Sequence, residues 1–327
     1  MTHVLEVKDL RISFPVEGAG RMYPVDGVSF SLDRGETLAL VGESGSGKSL
    51  TSLALLRLVP PPGRIEAGSA IMLGDTDVLG LQGEALRRIR GKRIGMIFQD
   101  PMTSLNPVLT VGDQISEGVR AHLPVSRREA RDRALHLLQE VGIPDPVSRL
   151  DAYPHQLSGG MRQRVMIAIA LSAEPDILVA DEPTTALDVT VQAQILEVLD
   201  ALRQRRGMAV LLITHDLGIV AGRADRVAVM YAGQIVEEAD TTELFARRSH
   251  PYTQGLFASV PRITGPIQRL TPIRGTVPPP TAWPSGCRFR PRCPQAFDKC
   301  ELPPELLPVG PGHRMRCWLA EEGRARG

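Results

Sequence analysis

The stretch "GESGSGKS", residues 42–49, decides the fold of this 327-residue chain. It matches the pattern G-x-x-x-x-G-K-[ST], follows the strand-like "ETLALV" and precedes the helix-compatible "LTSLALLRLV". Gly42, Gly45 and Gly47 permit positive φ and let backbone N–H groups surround phosphate oxygens at a helix N-terminus. A glycine-rich turn can match by chance, but the flanking strand and helix favour a phosphate-binding loop, here called the phosphate loop.

The phosphate loop supplies two side chains suited to a nucleotide. Lys48 can reach the β- and γ-phosphates, and the Ser49 hydroxyl can ligate Mg²⁺. The other members of the cofactor site that we expect in and beside this loop are Ser44, Ser46, Leu50 and Thr51.

Two apolar runs farther along the chain end in polar residues. "DILVAD" (176–181) leads into Asp181 and Glu182, and "MAVLLIT" (208–214) leads into His215. Such runs are typical of buried parallel strands, whose functional residues lie at their carboxyl ends. We expect Asp181 to hold Mg²⁺ and Glu182 to orient or deprotonate the attacking water. His215 would contact the γ-phosphate beside Glu182 if the two strands are neighbours.

Between these motifs lies a region with helical character. A strand-like "RIGMIFQD" (93–100) ends in Gln99, and "PMTSLNPVLTVGDQI" then passes from loop to helix. In "SRREARDRALHLLQEVG" (126–142), Ser126 and Glu129 form a capping box and Gly142 ends the helix.

The motifs together resemble a family. "GESGSGKS", the glutamine of "IFQD", "LSGGMRQR" (157–164), "DEPTTALD" (181–188) and "THD" (214–216) are similar to the motifs of ATP-binding subunits of ABC transporters, over about residues 4–250. "SHPYTQGL" (249–256), the Pro-rich 271–286 and the cysteine-containing end resemble the oligopeptide, dipeptide and nickel importer branch.

The resemblance implies an α/β fold. We expect a P-loop NTPase (ABC ATPase) core with an antiparallel β subdomain, a helical subdomain over about 101–160 and a small Cys-containing C-terminal appendage. The corresponding domains are an ATPase domain over 1–250 and an oligopeptide-importer-type region over 251–327.

The resemblance also implies residue roles. Gln99 would join Ser49 and Asp181 at Mg²⁺, so that the catalytic residues are Lys48, Gln99, Glu182 and His215. Either Phe14 or Tyr23 would stack on adenine, and the sequence does not choose between them. The residues that would meet ATP held by a second subunit are Ser158, Gly159, Gly160, Gln163 and Asp188.

The signature "LSGG" implies a partner. A helix N-terminus led by "SGG" binds anions, so the signature should face a phosphate. The chain's own nucleotide would already occupy the phosphate loop, so that phosphate would belong to a second nucleotide. The resemblance therefore implies a head-to-tail dimer with an identical or homologous ATPase subunit. It also implies two transmembrane permease subunits, contacted around Gln99 and residues 101–156, and an extracytoplasmic substrate-binding protein.

Composition excludes several function classes. Lys plus Arg (38) nearly balances Asp plus Glu (37), so a net charge of +1 gives no support to a nucleic-acid partner. The N-terminus lacks a basic stretch followed by an apolar run, and apolar runs stay well below the about 20 residues that span a bilayer. Together with the permease subunits that the resemblance implies, this leads us to expect a peripheral protein at the cytoplasmic face of the cell membrane.

All four cysteines lie in "SGCRFRPRCPQAFDKCELPPELLPVGPGHRMRCW", residues 285–318, here called the Cys segment: Cys287, Cys293, Cys300 and Cys317. The cytosol keeps thiols reduced, so metal ligation is favoured over disulfides. The spacing of the cysteines alone does not decide between zinc and an iron–sulfur cluster. Four interleaved arginines would suit an anionic centre, and the family resemblance implies [4Fe–4S], with zinc second and free thiols third.

The expected function is ATP hydrolysis that powers the import of dipeptides or oligopeptides. Nickel or another small solute is the alternative cargo within the same branch. A soluble ABC ATPase acting on nucleic acid or ribosomes fits less well, because the chain has one ATPase unit and no long heptad segment.

Overall fold

A computed structural model describes residues 3–18, 20–100, 104–185, 187–259 and 272–321. The chain divides into two compact units. Unit 1 consists of Met1–Leu5, Leu32–Glu36 and Leu73–Ile213, and unit 2 of Glu6–Ser31, Thr37–Met72 and Thr214–Gly327. These units cut the chain differently from the domain boundary expected at residue 250, which stays a prediction.

Unit 2 contains the antiparallel strands that the alternating N-terminal sequence predicts. β1 (Leu5–Val16) pairs with β2 (Gly20–Leu32). β1 also pairs antiparallel with β4 (Arg64–Ile65) and β5 (Ala70–Leu73). Alternate side chains of β1, among them Leu10 and Ile12, are fully buried, as expected of a sheet with one face on a core.

A second group of strands in unit 2 carries the phosphate loop. The fully buried β3 (Thr37–Val41) runs parallel to β10 (Arg226–Tyr231), and α1 (Lys48–Leu55) follows the loop. β10 pairs antiparallel with β11 (Gln234–Asp240). The described part of unit 2 also contains the helices α8 (Leu217–Val220), α9 (Thr241–Ala246) and α10 (Pro251–Ala258).

The Cys segment is built into this sheet rather than appended to it. β13 (His313–Met315) pairs with β11, and β12 (Leu307–Gly310) pairs with β13. Three short 3₁₀ helices, Arg290–Arg292, Asp298–Glu301 and Trp318–Ala320, make up much of the rest. Phe289, Cys287 and Cys300 share one apolar core with Val41 of β3 and Tyr231 of β10.

The expected appendage is therefore corrected in one respect. A segment rich in proline and glycine buries little apolar surface of its own. It gains stability here by pairing with the edge of β11 and by placing Phe289 in a core that the strands already form. Residues 260–271 and 322–327 of the expected C-terminal region lie outside the described residues.

Unit 1 is organised on three parallel strands. β8 (Ile177–Asp181) lies between β7 (Ile94–Ile97) and β9 (Ala209–Thr214). Every residue of β8 and β9 is buried, which confirms that the apolar runs ending in "AD" and "IT" are interior strands. β6 (Thr76–Asp77), α2 (Gly83–Arg88) and a π-helical segment (Ile89–Arg93) precede β7.

Helices make up most of the rest of unit 1. They are α3 (Val111–His122), α4 (Arg127–Glu140), α5 (Pro146–Arg149), a 3₁₀ turn (Pro154–Gln156), α6 (Gly159–Ala170) and α7 (Val189–Arg206). The capping box of Ser126 and Glu129 is present at the start of α4, and Gly142 follows that helix with φ of 71°. Residues 101–103 of the expected helical subdomain lie outside the described residues. None of the helices that the structure describes is both long and apolar enough to cross a membrane.

The position of Phe289 gives a stability prediction. Phe289→Ala should lower the free energy of unfolding by about 3 to 5 kcal/mol, because it leaves a cavity in the core shared with β3 and β10. Urea denaturation measures the change. The matched control is Phe98→Ala, whose side chain is exposed and which should change stability little. Equal, small effects of the two substitutions would contradict the integration of the Cys segment into this core.

Candidate functional site

The phosphate loop lies so close to its neighbours in unit 2 that two of its glycines admit no side chain. A Cβ at Gly42 would lie 2.1 Å from the Met230 carbonyl oxygen of β10. A Cβ at Gly47, where φ is 101°, would lie 2.6 Å from the Pro24 carbonyl oxygen. The loop backbone also accepts a hydrogen bond at Ser46 O from the N–H of Gly233, at 2.9 Å. Glycine is therefore required by both space and backbone conformation.

Lys48 is held over the loop by the loop's own backbone. Its Nζ donates to the carbonyl oxygens of Gly42 (2.7 Å) and Glu43 (3.0 Å), and the residue is only 5 % exposed. Ser44 and Gly45 form the exposed tip. The arrangement keeps a buried ammonium group paired at the position where the sequence predicts phosphate oxygens.

The other loop residues differ in exposure. Ser46 and Thr51 are fully buried, whereas Ser49 and Leu50 are half-buried. The Thr51 hydroxyl donates to the Gly47 carbonyl oxygen at 3.0 Å and so supports the first turn of α1. Ser49, at the second position of α1, is the loop hydroxyl that combines partial exposure with a place at the helix N-terminus.

In unit 1 the ends of two neighbouring strands bring Gln99 and Glu182 together. The Gln99 Nε2 donates to Glu182 Oε2 at 3.0 Å, and the Thr185 hydroxyl donates to the same oxygen at 2.9 Å. Asp181 ends β8 and is 4 % exposed. Because β7 and β8 are parallel, their carboxyl ends meet at one edge, as the sequence predicts.

Glu182 has a backbone conformation that few non-glycine residues adopt. Its φ is 48°, and its N–H donates to the Ile213 carbonyl oxygen of β9 at 2.9 Å. Strain of this kind persists where surrounding structure enforces it and is concentrated at functional sites. The carboxylate of Glu182 is thus oriented by its backbone and by Gln99 and Thr185. Sequence reasoning missed Thr185, although its place three residues after Glu182 in a turn was a signal.

His215 is the first residue after β9; it belongs to unit 2 and is exposed. The next residue, Asp216, accepts from the Gly218 N–H at 2.7 Å and begins α8. The strand-end position of His215 is as expected, and its contact with the γ-phosphate stays a prediction.

The residues expected to meet a second subunit divide into two groups. Ser158 caps α6 by accepting from the Met161 N–H at 3.3 Å, and Asp188 caps α7 by accepting from the Val191 N–H at 3.0 Å. Ser158, Gly159 and Asp188 are exposed, and Gly160 is half-buried. Gln163 differs from them. It is 1 % exposed, so its side chain lies in the interior of unit 1 and not on the surface formed by the caps.

The two aromatic candidates for adenine stacking also differ. The ring of half-buried Phe14 lies against Gly63, where a Cβ would come within 2.5 Å of it. Tyr23 of β2 is 36 % exposed. Phe14 therefore has a packing partner within unit 2, whereas Tyr23 presents its ring to solvent.

The four cysteines are free thiols that interact electrostatically. Burial raises the pKa of the Cys293 thiol to about 11, with a further contribution from Cys287 and Cys300. Burial likewise raises the pKa of Cys317 to about 12, and the other three cysteines add to the effect. All four are described, yet no group of three or more Cys, His, Asp or Glu side chains among the described residues is arranged to hold a metal ion. Thiol sulfur is a suitable metal donor, whereas the described residues do not form a ligand geometry.

The interleaved arginines mostly bind elsewhere, which corrects the expectation that they serve an anionic centre. Arg288 pairs with Asp26, and Arg316 donates to the Ile235 carbonyl oxygen. Arg292 pairs with Glu43 of the phosphate loop. Burial raises the pKa of the Cys287 thiol, and Arg290 offsets part of that rise.

Comparison with known proteins agrees with the loop and strand-end geometry. Residues 25–185 match the family model described as ABC transporter, and residues 236–300 match the oligopeptide/dipeptide transporter C-terminal region. The chain is 52 % identical over 323 residues to the oligopeptide transport ATP-binding protein AppD of Bacillus subtilis, covering 98 % of each chain. The chain belongs to the ABC transporter ATP-binding subunits, in the oligopeptide/dipeptide branch. It is an ABC-type ATPase.

Other ABC proteins extend the likeness. The chain is 50 % identical to the dipeptide transport ATP-binding protein DppD of B. subtilis, covering 98 % of this chain and 96 % of that one. The solved dimeric post-hydrolysis state of the ATP-binding cassette MJ0796, bound to ADP and Pi, matches with a TM-score of 0.64 at 28 % identity, covering 72 % of this chain and 98 % of that one. CbiO1 of Clostridium perfringens, part of an ABC transporter complex, also gives 0.64 at 27 % identity, covering 76 % of this chain and 92 % of that one.

Proposed function

We propose that this ABC ATPase subunit powers the uptake of dipeptides or oligopeptides. The observation that carries the proposal is the match of residues 236–300 to the oligopeptide/dipeptide C-terminal region, joined in one chain to an intact set of ATPase motifs. Relatives with 50 to 52 % identity over nearly the whole chain are named as oligopeptide and dipeptide transport proteins. Transport of peptides best explains why the ATPase motifs and the C-terminal region occur in one chain.

Lys48 and Ser49 are the proposed phosphate and metal ligands of the phosphate loop. The Lys48 ammonium already lies against the loop carbonyls and needs only to face phosphate oxygens to neutralise their charge. The oxygen donors of Ser49, Asp181 and Gln99 are the hard ligands that Mg²⁺ prefers. Mg²⁺, when bound with ATP, would neutralise charge on the β- and γ-phosphates.

Glu182 is the proposed general base. Two hydrogen bonds to its Oε2, from Gln99 and Thr185, fix the carboxylate so that it can hold a water and accept its proton. Gln99 thereby links the strand end of β7 to the catalytic carboxylate. His215 is proposed to contact the γ-phosphate, and Tyr23, with its exposed ring, is proposed over Phe14 to stack on adenine.

The exposed caps at Ser158 and Asp188 support a head-to-tail dimer with an identical or homologous ATPase subunit. Ser158 and the two glycines after it place N–H groups at the start of α6, where an anion is stabilised. We propose that this surface closes over ATP bound by the partner. The full assembly would contain two permease subunits and an extracytoplasmic binding protein, with this chain at the cytoplasmic face of the membrane.

The proposed base gives the first test. Glu182→Gln should abolish ATP hydrolysis but leave ATP binding intact, because the amide cannot accept a proton while the phosphate loop is unchanged. Phosphate release and nucleotide binding are measured on the same preparation. Glu174→Gln, an exposed glutamate paired with Arg133, is the matched control and should hydrolyse ATP normally. Normal turnover by Glu182→Gln would reject the assigned role.

The proposed cargo gives the second test. Cells that depend on this transporter should accumulate labelled dipeptides or oligopeptides with the wild-type chain and fail to do so with Lys48→Ala. Nickel uptake is measured in parallel. Loss of nickel uptake with normal peptide uptake would replace the peptide assignment by the metal-importing alternative.

We also propose that Cys287, Cys293, Cys300 and Cys317 ligate one metal centre, [4Fe–4S] in preference to zinc. The support is that four thiols lie in one short segment and that Cys287, Cys293 and Cys300 each contribute to the raised pKa of the Cys317 thiol. Thiols of this kind release their protons when they ligate a metal ion. The centre would join parts of a segment that has little regular structure, so its proposed role is structural.

Metal content tests this proposal. Protein purified without oxygen should be brown, absorb at about 400 nm and contain about four iron atoms per chain. Cys293→Ser should lose both the colour and the iron. Colourless protein with stoichiometric zinc would favour the zinc alternative, and protein free of both metals would leave four reduced thiols.

A further inference from the structure

Glu43, the second residue of the phosphate loop, is held by two residues from the C-terminal half of unit 2. Its backbone N–H donates to the Tyr252 hydroxyl at 3.0 Å. Its carboxylate accepts from both terminal nitrogens of Arg292, Nη1 at 2.7 Å and Nη2 at 3.0 Å. Its carbonyl oxygen accepts from Lys48 Nζ at 3.0 Å. Every polar group of Glu43 is therefore engaged, two of them by residues more than 200 positions away.

Arg292 is itself fixed in one orientation. Its Nε donates to the Arg274 carbonyl oxygen at 2.9 Å, and Nη2 also approaches the Gly275 carbonyl oxygen at 3.3 Å. Its side chain is 4 % exposed, whereas that of Glu43 is 32 % exposed. A bidentate guanidinium–carboxylate pair has a defined geometry, and burial of the arginine screens it from solvent. The pair is thus more than a surface ion pair of negligible effect.

Tyr252 is positioned by the "SHPY" sequence. The buried carboxylate of Glu237 accepts from the N–H groups of Ser249 (2.7 Å) and His250 (3.1 Å). His250 caps α10 by accepting from the Tyr252 N–H at 3.0 Å. The ring of Tyr252 is fully buried against Tyr231, with ring centroids 4.6 Å apart. The Tyr252 hydroxyl that contacts Glu43 therefore belongs to a side chain held in one position by its surroundings.

We propose that Tyr252 and Arg292 form a C-terminal clamp on Glu43 that positions the phosphate loop for nucleotide, so that both are positioning residues for ATP binding. The proposal rests on the proposed function of the loop. Because the clamp holds the peptide and side chain of Glu43, it sets where the Glu43 carbonyl lies, and that carbonyl is one of the two that hold Lys48. The clamp joins three separate stretches of sequence through hydrogen bonds: "SHPY", "CRFRPRC" and "GESGSGKS".

The clamp predicts a specific kinetic pattern. Arg292→Gln and Glu43→Gln should each weaken ATP binding by about tenfold, because a loop that is no longer preorganised binds nucleotide less tightly. The residues that carry out hydrolysis are unchanged in both variants. The KM for ATP should rise in the assembled transporter while kcat changes little. Tyr252→Phe, which removes only the hydroxyl, should also raise KM. Arg292→Lys should not restore binding fully, because an ammonium group cannot form the fork.

A double-mutant cycle separates the clamp from ordinary packing. Nucleotide binding to the full-length chain is followed with a fluorescent ATP analogue, and thermal unfolding is measured alongside. If the clamp acts as a unit, Arg292→Gln combined with Glu43→Gln should bind no worse than either single variant. Arg290→Gln, two residues away and paired with Glu301, is the control and should bind normally. The clamp would be overturned if the double variant lost affinity for the ATP analogue by the product of the two single losses. It would also be overturned if the variants melted at a lower temperature but bound the analogue with wild-type affinity.

Lys48→Ala distinguishes the two proposals. If Lys48→Ala loses nucleotide while Glu43→Gln and Arg292→Gln keep wild-type affinity, the clamp is wrong and the loop's role stands. If Lys48→Ala binds nucleotide normally, the role of the loop fails and the clamp fails with it. Because Glu43→Gln is a near-isosteric change at a half-exposed position, it keeps the test open even if Arg292→Gln does not fold.

Discussion

The close approach of the phosphate loop to β10 is the constraint on which unit 2 depends. Met230 of β10 places its carbonyl oxygen where a side chain at position 42 would have to be, and Pro24 does the same at position 47. Only glycine satisfies both positions, and the resulting turn leads directly into α1. The parallel pairing of β3 with β10 puts the loop at that strand end, so the sheet and the loop determine one another.

Parallel pairing has the same consequence in unit 1. β7 and β8 end side by side, and this alone allows Gln99 to reach Glu182, 83 residues along the chain. The Glu182 backbone then adopts a φ of 48°, enforced in part by its hydrogen bond to β9. Functional side chains gather at this edge because strands end there and their polar successors need not be buried.

The Cys segment shows how a weakly structured sequence becomes part of a larger core. Phe289 packs against Tyr231 and Tyr252 with ring centroids 5.2 and 5.4 Å apart. Arg288 pairs with Asp26 and Arg292 with Glu43, so two arginines next to cysteines bind residues near the phosphate loop and β2. The arginines that lie beside cysteines in the sequence therefore mainly form ion pairs with other elements of unit 2.

The sequence by itself determined the elements whose signals are local. Neighbouring residue types predict the phosphate loop, the buried strands before Asp181 and His215, the capping box at Ser126 and the helix N-terminus led by "SGG". Hydrogen bonds and periodicity within a few residues carry that information.

Only the tertiary structure decided which distant groups meet. Tyr252 and Arg292 converge on Glu43, Gln163 faces the interior, and β13 pairs with the edge of β11. No periodicity or motif encodes these contacts, because each depends on the register and packing of strands far apart in the chain.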